Sequence, residues 1–376
     1  MTITHAPGEP IQAGAAPART RAIPAAAAAL PLEAPDHERV LVSRGRRSGL
    51  TIIVAVHSTR LGQALGGARL WRYASWTDGL ADALRLSQAM TMKNAAAGLA
   101  RGGGKSVVVI PEGAPLDERG IRAAMLDLGD AVESLDGAYM TAEDVGTSAE
   151  LMAVVAERTA HVCGLPPEQG GVGEPADATA AGVHASILAT VEHVFGSRDL
   201  AGRHLVISGL GQVGGRLARM LAAGGARLSV TDVADGKRAL AEELGADWVD
   251  PEDAHLVEAD VFVPCGLGGV LTPEVVSALR VRAVVGAANN QLASRDVAGL
   301  LTERGIVWAP DFVVNAGGVI YLDVASGPDA VAAELDARIA GIGDTVASVL
   351  RAAEEHGTTT LAAAERLARA RLEAAV

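Results

Sequence analysis

The chain has 32 lysine and arginine residues, and only three of them are lysine: Lys93, Lys105 and Lys237. Two of these fall within "MTMKNAAAGLARGGGKSVVV", residues 90–109, twelve positions apart across a run of alanine and glycine. Arginine stays protonated at any pH a protein meets, whereas a buried lysine can lose its proton near neutrality and act as a base. Lys93 and Lys105 are therefore candidates for proton-exchange chemistry. The plain alternative is two solvated surface lysines. An acid that could join them, Asp144 in "YMTAEDVGTSAEL", reads as a loop residue between a short strand and a helix.

Other elements must hold these groups. "GLTIIVAVHS", residues 49–58, reads as a strand rich in β-branched residues. "SWTDGLADALRLSQAMTMKNAAAGL" has helical period, with Thr77 as its expected cap and Leu80, Leu84, Ser87 and Met90 on one stripe. Asn94 or Lys93 continues that stripe; if the helix runs on, Lys93 faces the core, where a cation is costly unless it has a partner or a task. "KSVVVI" is a further strand, with Lys105 where a glycine loop enters the sheet. Thr147, followed three positions later by Glu150, reads as a capping box for the helix after Asp144.

From "GLPPEQGGVGEPADAT", residues 164–179, the texture changes, as at a hinge or domain boundary. Beyond it "HLVISGLGQVGGRLARMLAAGGARLSVTD" reads strand, glycine turn, amphipathic helix, strand. Gly209, Gly211 and Gly214 form a GxGxxG pattern, and Asp232 follows 18 residues after the last glycine. In this setting the glycines let the backbone approach a pyrophosphate at the helix N-terminus, and the acid accepts from the ribose hydroxyls. The alternative is an ordinary strand–helix turn without a ligand. Asp232 would repel a 2′-phosphate and "VADG" at 233–236 offers no arginine to welcome one, so NAD is expected over NADP. "DVFVPC" and "RAVVGAANN" are short apolar strands suited to a parallel sheet covered on both faces. The chain closes in helix from about Asp336 to Val376.

Composition narrows the classes. A net charge of -13 argues against nucleic acid as a partner. No apolar run approaches the ~20 residues that span a bilayer. The two cysteines, Cys163 and Cys265, form no CxxC and no cluster with histidine, so neither a metal site nor a disulfide framework is expected, and a reducing cytoplasm suits them. Residues 1–35, rich in alanine and proline, read as a disordered tail.

Together the blocks "ALGGARLWRYAS", "AMTMKNAAAGLARGGGKSVVV", "YMTAEDVGT", "GLGQVGG", "GAANNQLA" and "APDFVVNAGGVI" resemble the leucine/phenylalanine/valine branch of the amino-acid dehydrogenases, relatives of glutamate dehydrogenase. The likeness runs in order from about residue 40 to the C-terminus. It implies an α/β fold of two domains with a cleft between them. One is a mixed-sheet substrate domain (36–163), joined by the C-terminal helices 336–376, and the other a Rossmann-type domain (164–335). It also implies a homo-oligomer, and reversible NAD-dependent oxidative deamination of a hydrophobic L-amino acid to the 2-oxo acid and ammonium.

By the same resemblance, Lys93 binds the substrate carboxylate, Lys105 is the general base and Asp144 shuttles protons at the amino group. Leu65, Gly66, Gly67, Met90, Ala142, Asn290, Val319 and Leu322 surround the substrate. The dinucleotide meets Gly209, Leu210, Gly211, Gln212, Val213, Gly214 and Asp232, and its nicotinamide end meets Thr179, Cys265, Ala288 and Asn289. For Cys265 a small buried strand-end residue is an equal reading. Leu65 and Leu322 stand where glutamate enzymes hold a side-chain carboxylate, so a charged side chain would be rejected. Met92 before Lys93 and Arg72 in "LWRYA" depart from the family pattern. Two other readings stay open: a reductase of imines or 2-oxo acids in biosynthesis, and a non-catalytic nucleotide-binding relative.

Overall fold

Two sheets divide the molecule. The computed structural model describes residues 36–169, 175–325 and 332–375; the tail assigned to 1–35 and part of the hinge assigned to 164–179 lie outside them. The first sheet contains β1 (Arg39–Arg44), β2 (Thr51–Ser58), β3 (Ala64–Tyr73), β4 (Gly102–Pro111) and β5 (Tyr139–Glu143), in spatial order β1-β2-β4-β3-β5. It is mixed: β2 runs antiparallel to β1 and β4, while β3 runs parallel to β4 and β5. Helix α1 (Trp76–Ala96) covers one face, and α2 (Glu118–Glu133) and α3 (Ala149–Ala156) cover the other.

Helix α1 starts at Ser75, whose side chain accepts from the Asp78 backbone N–H while the Asp78 carboxylate accepts from the Ser75 backbone N–H. That capping box replaces the Thr77 cap expected from sequence, because Asp78 lies three residues after Ser75 and not after Thr77. Likewise α3 is capped by Ser148, not Thr147. The glycines before Lys105 are not a loop. Gly102–Gly104 are strand residues of β4, wholly buried and squeezed between neighbours; a Cβ on Gly104 would stand 2.5 Å from the Tyr139 ring.

The second sheet is six-stranded and parallel. Helix α4 (Ala176–Phe195) leads into β6 (His204–Ser208), α5 (Gln212–Ala223), β7 (Arg227–Thr231), α6 (Arg238–Leu244) and β8 (Asp247–Trp248). Then follow β9 (Val261–Pro264), α7 (Pro273–Ala278), β10 (Ala283–Val284), α8 (Val297–Glu303) and β11 (Val307–Trp308). The spatial order β11-β10-β9-β6-β7-β8 reverses direction between β6 and β9. In doubly wound sheets that switch point opens a crevice for a ligand at the carboxyl ends of the strands. Only Ala283 and Val284 of the apolar run at 282–290 pair as strand. Past them Val285 and Ala288 still donate to the β9 carbonyls of Phe262 and Pro264, at 3.1 and 2.9 Å, before Asn290 enters the left-handed region at φ 51°.

Four helices close the chain: α9 (Asp311–Val314), α10 (Gly317–Ala325), α11 (Ala332–His356) and α12 (Thr360–Ala374). Helix α11 packs along α4, and α12 lies against α1. Arg371 of α12 donates to the carbonyls of Ala95 and Ala96 at the end of α1, adding acceptor pairing where the helical ladder runs out.

Candidate active site

Strand alternation sends Lys105, Val107 and Val109 to the α1 face of the first sheet, where Val107 and Val109 pack with Ala83. Lys105 is only 4% exposed. Its Nζ lies 2.9 Å from Asp144 Oδ2. Burial lowers the Lys105 pKa most; the Asp144 carboxylate opposes that shift and the Arg69 cation adds to it, and the pKa ends below the ordinary lysine value. Burial raises Asp144, but Lys105 and Arg69 outweigh it and hold the carboxyl below its usual range.

Lys93 lies in the last turn of α1, and its Nζ donates to Asn315 Oδ1 at 2.7 Å. Burial drives its pKa down to about 8, with Asp311 and Asp144 opposing and Lys105 reinforcing. Asn315 also donates to Asn289 Oδ1 at 2.8 Å, so one amide joins the lysine of the first half to the loop after β10. Asn290 itself is exposed, and it is Asn315 that meets Lys93. Beneath, the buried Asp311 accepts from the backbone of Gln291 at 2.8 Å and of Phe312 at 2.7 Å. The buried Gln291 amide donates to the carbonyls of Gly286 and Ala288 and accepts from Trp308. The loop bearing Ala288, Asn289 and Asn290 is thereby braced from below.

Leu65, Ala142, Val319 and Leu322 are buried in one apolar cluster with Cys163 and Ile320, and Met90 packs against it. Met90 precedes Lys93 by one helical turn, so this cluster adjoins the lysine. Gly66 and Gly67 need no ligand to explain them. A Cβ on Gly66 would run into the Gly104 carbonyl, and one on Gly67 would lie 2.7 Å from Asp144 Cβ.

At the switch point the glycine turn divides its tasks. Gly209 has φ 106° and donates to the Thr231 carbonyl at 2.8 Å. Gly214 packs against the Gly209 carbonyl and the Cys265 side chain, leaving no room for a Cβ. Gly211 faces open space and opens α5, whose first turn contains Gln212, Val213 and Gly214. A tight turn, a close helix–strand contact and one bare approach to free N–H groups are what a dinucleotide pyrophosphate requires, so these residues fit that group. Asp232 now accepts from the backbone of Leu210 at 2.6 Å and Ala234 at 2.8 Å, which fixes its carboxylate beside the turn. Cys265 donates its backbone N–H to the Ser208 carbonyl at 2.7 Å, and burial raises its thiol to about 11. Its side chain packs against Gly214. Thr179, in the first turn of α4, donates to the Pro175 carbonyl and lies where a Cβ on Gly318 would touch it.

Sequence reading missed Asn315, Asp311, Gln291 and the ion-pair partner Arg69. Asn315 lies within the quoted "FVVNAGG", a polar residue in an apolar run, and that was the available signal. Arg72, the departure in β3, donates to the carbonyls of Pro111 and Ala114 at the surface.

A parallel, doubly wound sheet with a glycine turn at its switch point stands beside a mixed sheet that carries a buried lysine paired with a carboxylate, an arrangement that suits a dinucleotide-dependent enzyme. The glutamate/leucine/phenylalanine/valine dehydrogenase family model matches residues 238–376, and the model for the family's dimerisation domain matches residues 37–161. The chain is 41% identical to leucine dehydrogenase from Geobacillus stearothermophilus over 91% of its length and 92% of that protein. It is 42% identical to valine dehydrogenase from Streptomyces albus over 89% of its length and 92% of that protein. The crystal structure of L-tryptophan dehydrogenase from Nostoc punctiforme superposes with a TM-score of 0.78 at 33% identity, covering 90% of this chain and 97% of that one. The chain belongs to the glutamate/leucine/phenylalanine/valine dehydrogenase family. It is an amino-acid dehydrogenase, an oxidoreductase that needs a nicotinamide cofactor.

Proposed function

We propose that the chain catalyses reversible, NAD-dependent oxidative deamination of a branched-chain or aromatic L-amino acid to the 2-oxo acid and ammonium. The observation that carries this reading is the buried Lys105 paired with the half-buried Asp144, with Lys93 nearby and Leu65, Ala142, Val319 and Leu322 gathered in one apolar cluster. In this reading Lys93 holds the substrate carboxylate and Asp144 takes a proton from the amino group. Bound NAD supplies the hydride acceptor. Lys105, neutral, takes a proton from the water that adds to the imino carbon, and collapse of that adduct releases ammonium. An amino acid, water and oxidised dinucleotide thus give the 2-oxo acid, ammonium, reduced dinucleotide and a proton.

Leu65, Ala142, Val319, Leu322 and Met90 form the side-chain pocket in this proposal, with Gly66 and Gly67 beside it. Asn290 and Asn289 line its mouth, and Thr179, Cys265 and Ala288 lie toward the nicotinamide. An apolar wall strands a charged side chain without a partner, so glutamate is excluded. The preference for NAD over NADP rests on the Asp232 carboxylate and on Arg238, which stacks on Trp248 and faces Asp235. We assign residues 36–163 to a substrate domain, joined by helices 336–376, and 164–335 to a dinucleotide domain. The chain acts as a homo-oligomer in the cytoplasm. The dimerisation-domain match and the exposed Val40 and Val42 of edge strand β1 favour assembly. No described helix is long and apolar enough to cross a membrane.

The test is NADH formation from a panel of L-amino acids at alkaline pH, with 2-oxo acids plus ammonia in reverse. Turnover in both directions with leucine, valine or phenylalanine is expected. Activity confined to reduction would favour a biosynthetic reductase, and silence in both directions would remove the proposal.

A further inference from the structure

Behind Asp144 lies an ion-pair chain that the reaction scheme does not use. Arg69 of β3 places Nε 2.9 Å from Asp144 Oδ2, the same oxygen that Lys105 holds at 2.9 Å. Its Nη1 lies 2.8 Å from Asp82 Oδ2 on α1. Asp82 is held in turn by the Tyr73 hydroxyl at 2.7 Å and by Arg85 at 2.8 Å. No described residue donates to Asp144 Oδ1. Three consecutive residues of β3 serve one acid. Gly67 leaves space for Asp144 Cβ, and Ala68 supplies a carbonyl to Thr147 Oγ1 at 2.9 Å. Thr147 Oγ1 also accepts from the Asp144 backbone at 2.8 Å, which fixes the loop.

We propose that Arg69 is a positioning residue for the deamination: it pins one oxygen of Asp144 against the Lys105 ammonium and leaves the other unclaimed to exchange a proton with the substrate amine. The proposal rests on the functional reading above. Only a planar fork spans Asp144 and Asp82 at once; a lysine carries one point of charge and cannot. The same cation faces Lys105 and disfavours its protonated form. The charged groups around Lys105 are Asp144, Arg69 and Asp82, with Lys93 across from α1. Asp311 acts on Lys93, and Tyr73 and Arg85 act on Asp82. Removing the Arg69 charge removes a repulsion, so Lys105 stays protonated to higher pH.

The experiment compares the full-length wild type with Arg69→Gln and Arg69→Lys. Two quantities are measured: the pH profile of kcat/KM for leucine oxidation, and the pH midpoint at which acetic anhydride labels Lys105, read from the peptide mass. Arg69→Gln should lower kcat at least about tenfold and move both the acid limb and the labelling midpoint up by roughly half to one pH unit. Arg69→Lys keeps the charge but not the fork, so kcat falls while both midpoints stay near wild type. An Arg69→Gln protein with both midpoints unchanged overturns the proposal. Should the wild type turn over no amino acid, the functional reading fails, while the labelling midpoint still decides whether Arg69 governs Lys105.

Discussion

The two sheets equip the molecule in opposite ways. The first concentrates side-chain chemistry: Asp144 and Arg69, both half-buried, meet the buried Lys105 within hydrogen-bond distance, and Lys93 stands opposite on α1. The second offers backbone. Its crevice is a turn of glycines with open space at Gly211, and its one acid, Asp232, faces main-chain N–H groups. A side-chain site fails when a functional group is changed, however well the shape is kept. A backbone site tolerates changes of chemistry nearby and fails when an atom is added.

That contrast can be broken by substitution. The largest effect is expected from Lys105→Ala, which should lower kcat about 10²- to 10⁴-fold with NADH affinity within about twofold, read by initial rates and NADH fluorescence. Near-normal turnover would remove Lys105 from its role as base. Gly214→Val should do the reverse. It forces a side chain onto the Gly209 carbonyl and weakens NADH binding at least about tenfold, while Lys105 keeps its labelling midpoint. If NADH binding is unchanged, the crevice is not the dinucleotide site.

A smaller effect concerns stability. Lys93 titrates at about 8 in the folded chain against 10.5 ordinarily, so the unfolded state holds its proton more tightly. The penalty is full below about pH 8 and fades as pH rises toward 10.5. Lys93→Met removes it. The difference in unfolding free energy between wild type and Lys93→Met should therefore shift by about 1–3 kcal/mol in favour of wild type between pH 7 and 10.5. A difference independent of pH would show that Lys93 is not desolvated.

The same contrast explains what could be read from sequence. The glycine turn was legible because its parts are contiguous: strand, three glycines, helix, acid, in fixed order. Lys93 and Lys105 were legible as rare residue types. Their partners were not, since Asn315 is 222 residues from Lys93 and Arg69 is 75 from Asp144. Arg69 was also hidden among 29 arginines. The caps were misjudged by small margins. Ser75 and Thr77 are both good capping residues, and the choice fell to Asp78, whose spacing suits only Ser75. The triple glycine looked like a loop because glycine is common there, whereas here it permits strands and the Tyr139 ring to close on β4.

The most direct test of the account is the ratio of kcat/KM for L-leucine to that for L-glutamate with NAD. Apolar side chains at Leu65 and Leu322 beside a working Lys105–Asp144 pair predict a ratio of at least about 10³ in favour of leucine. Equal rates, or a preference for glutamate, would contradict it.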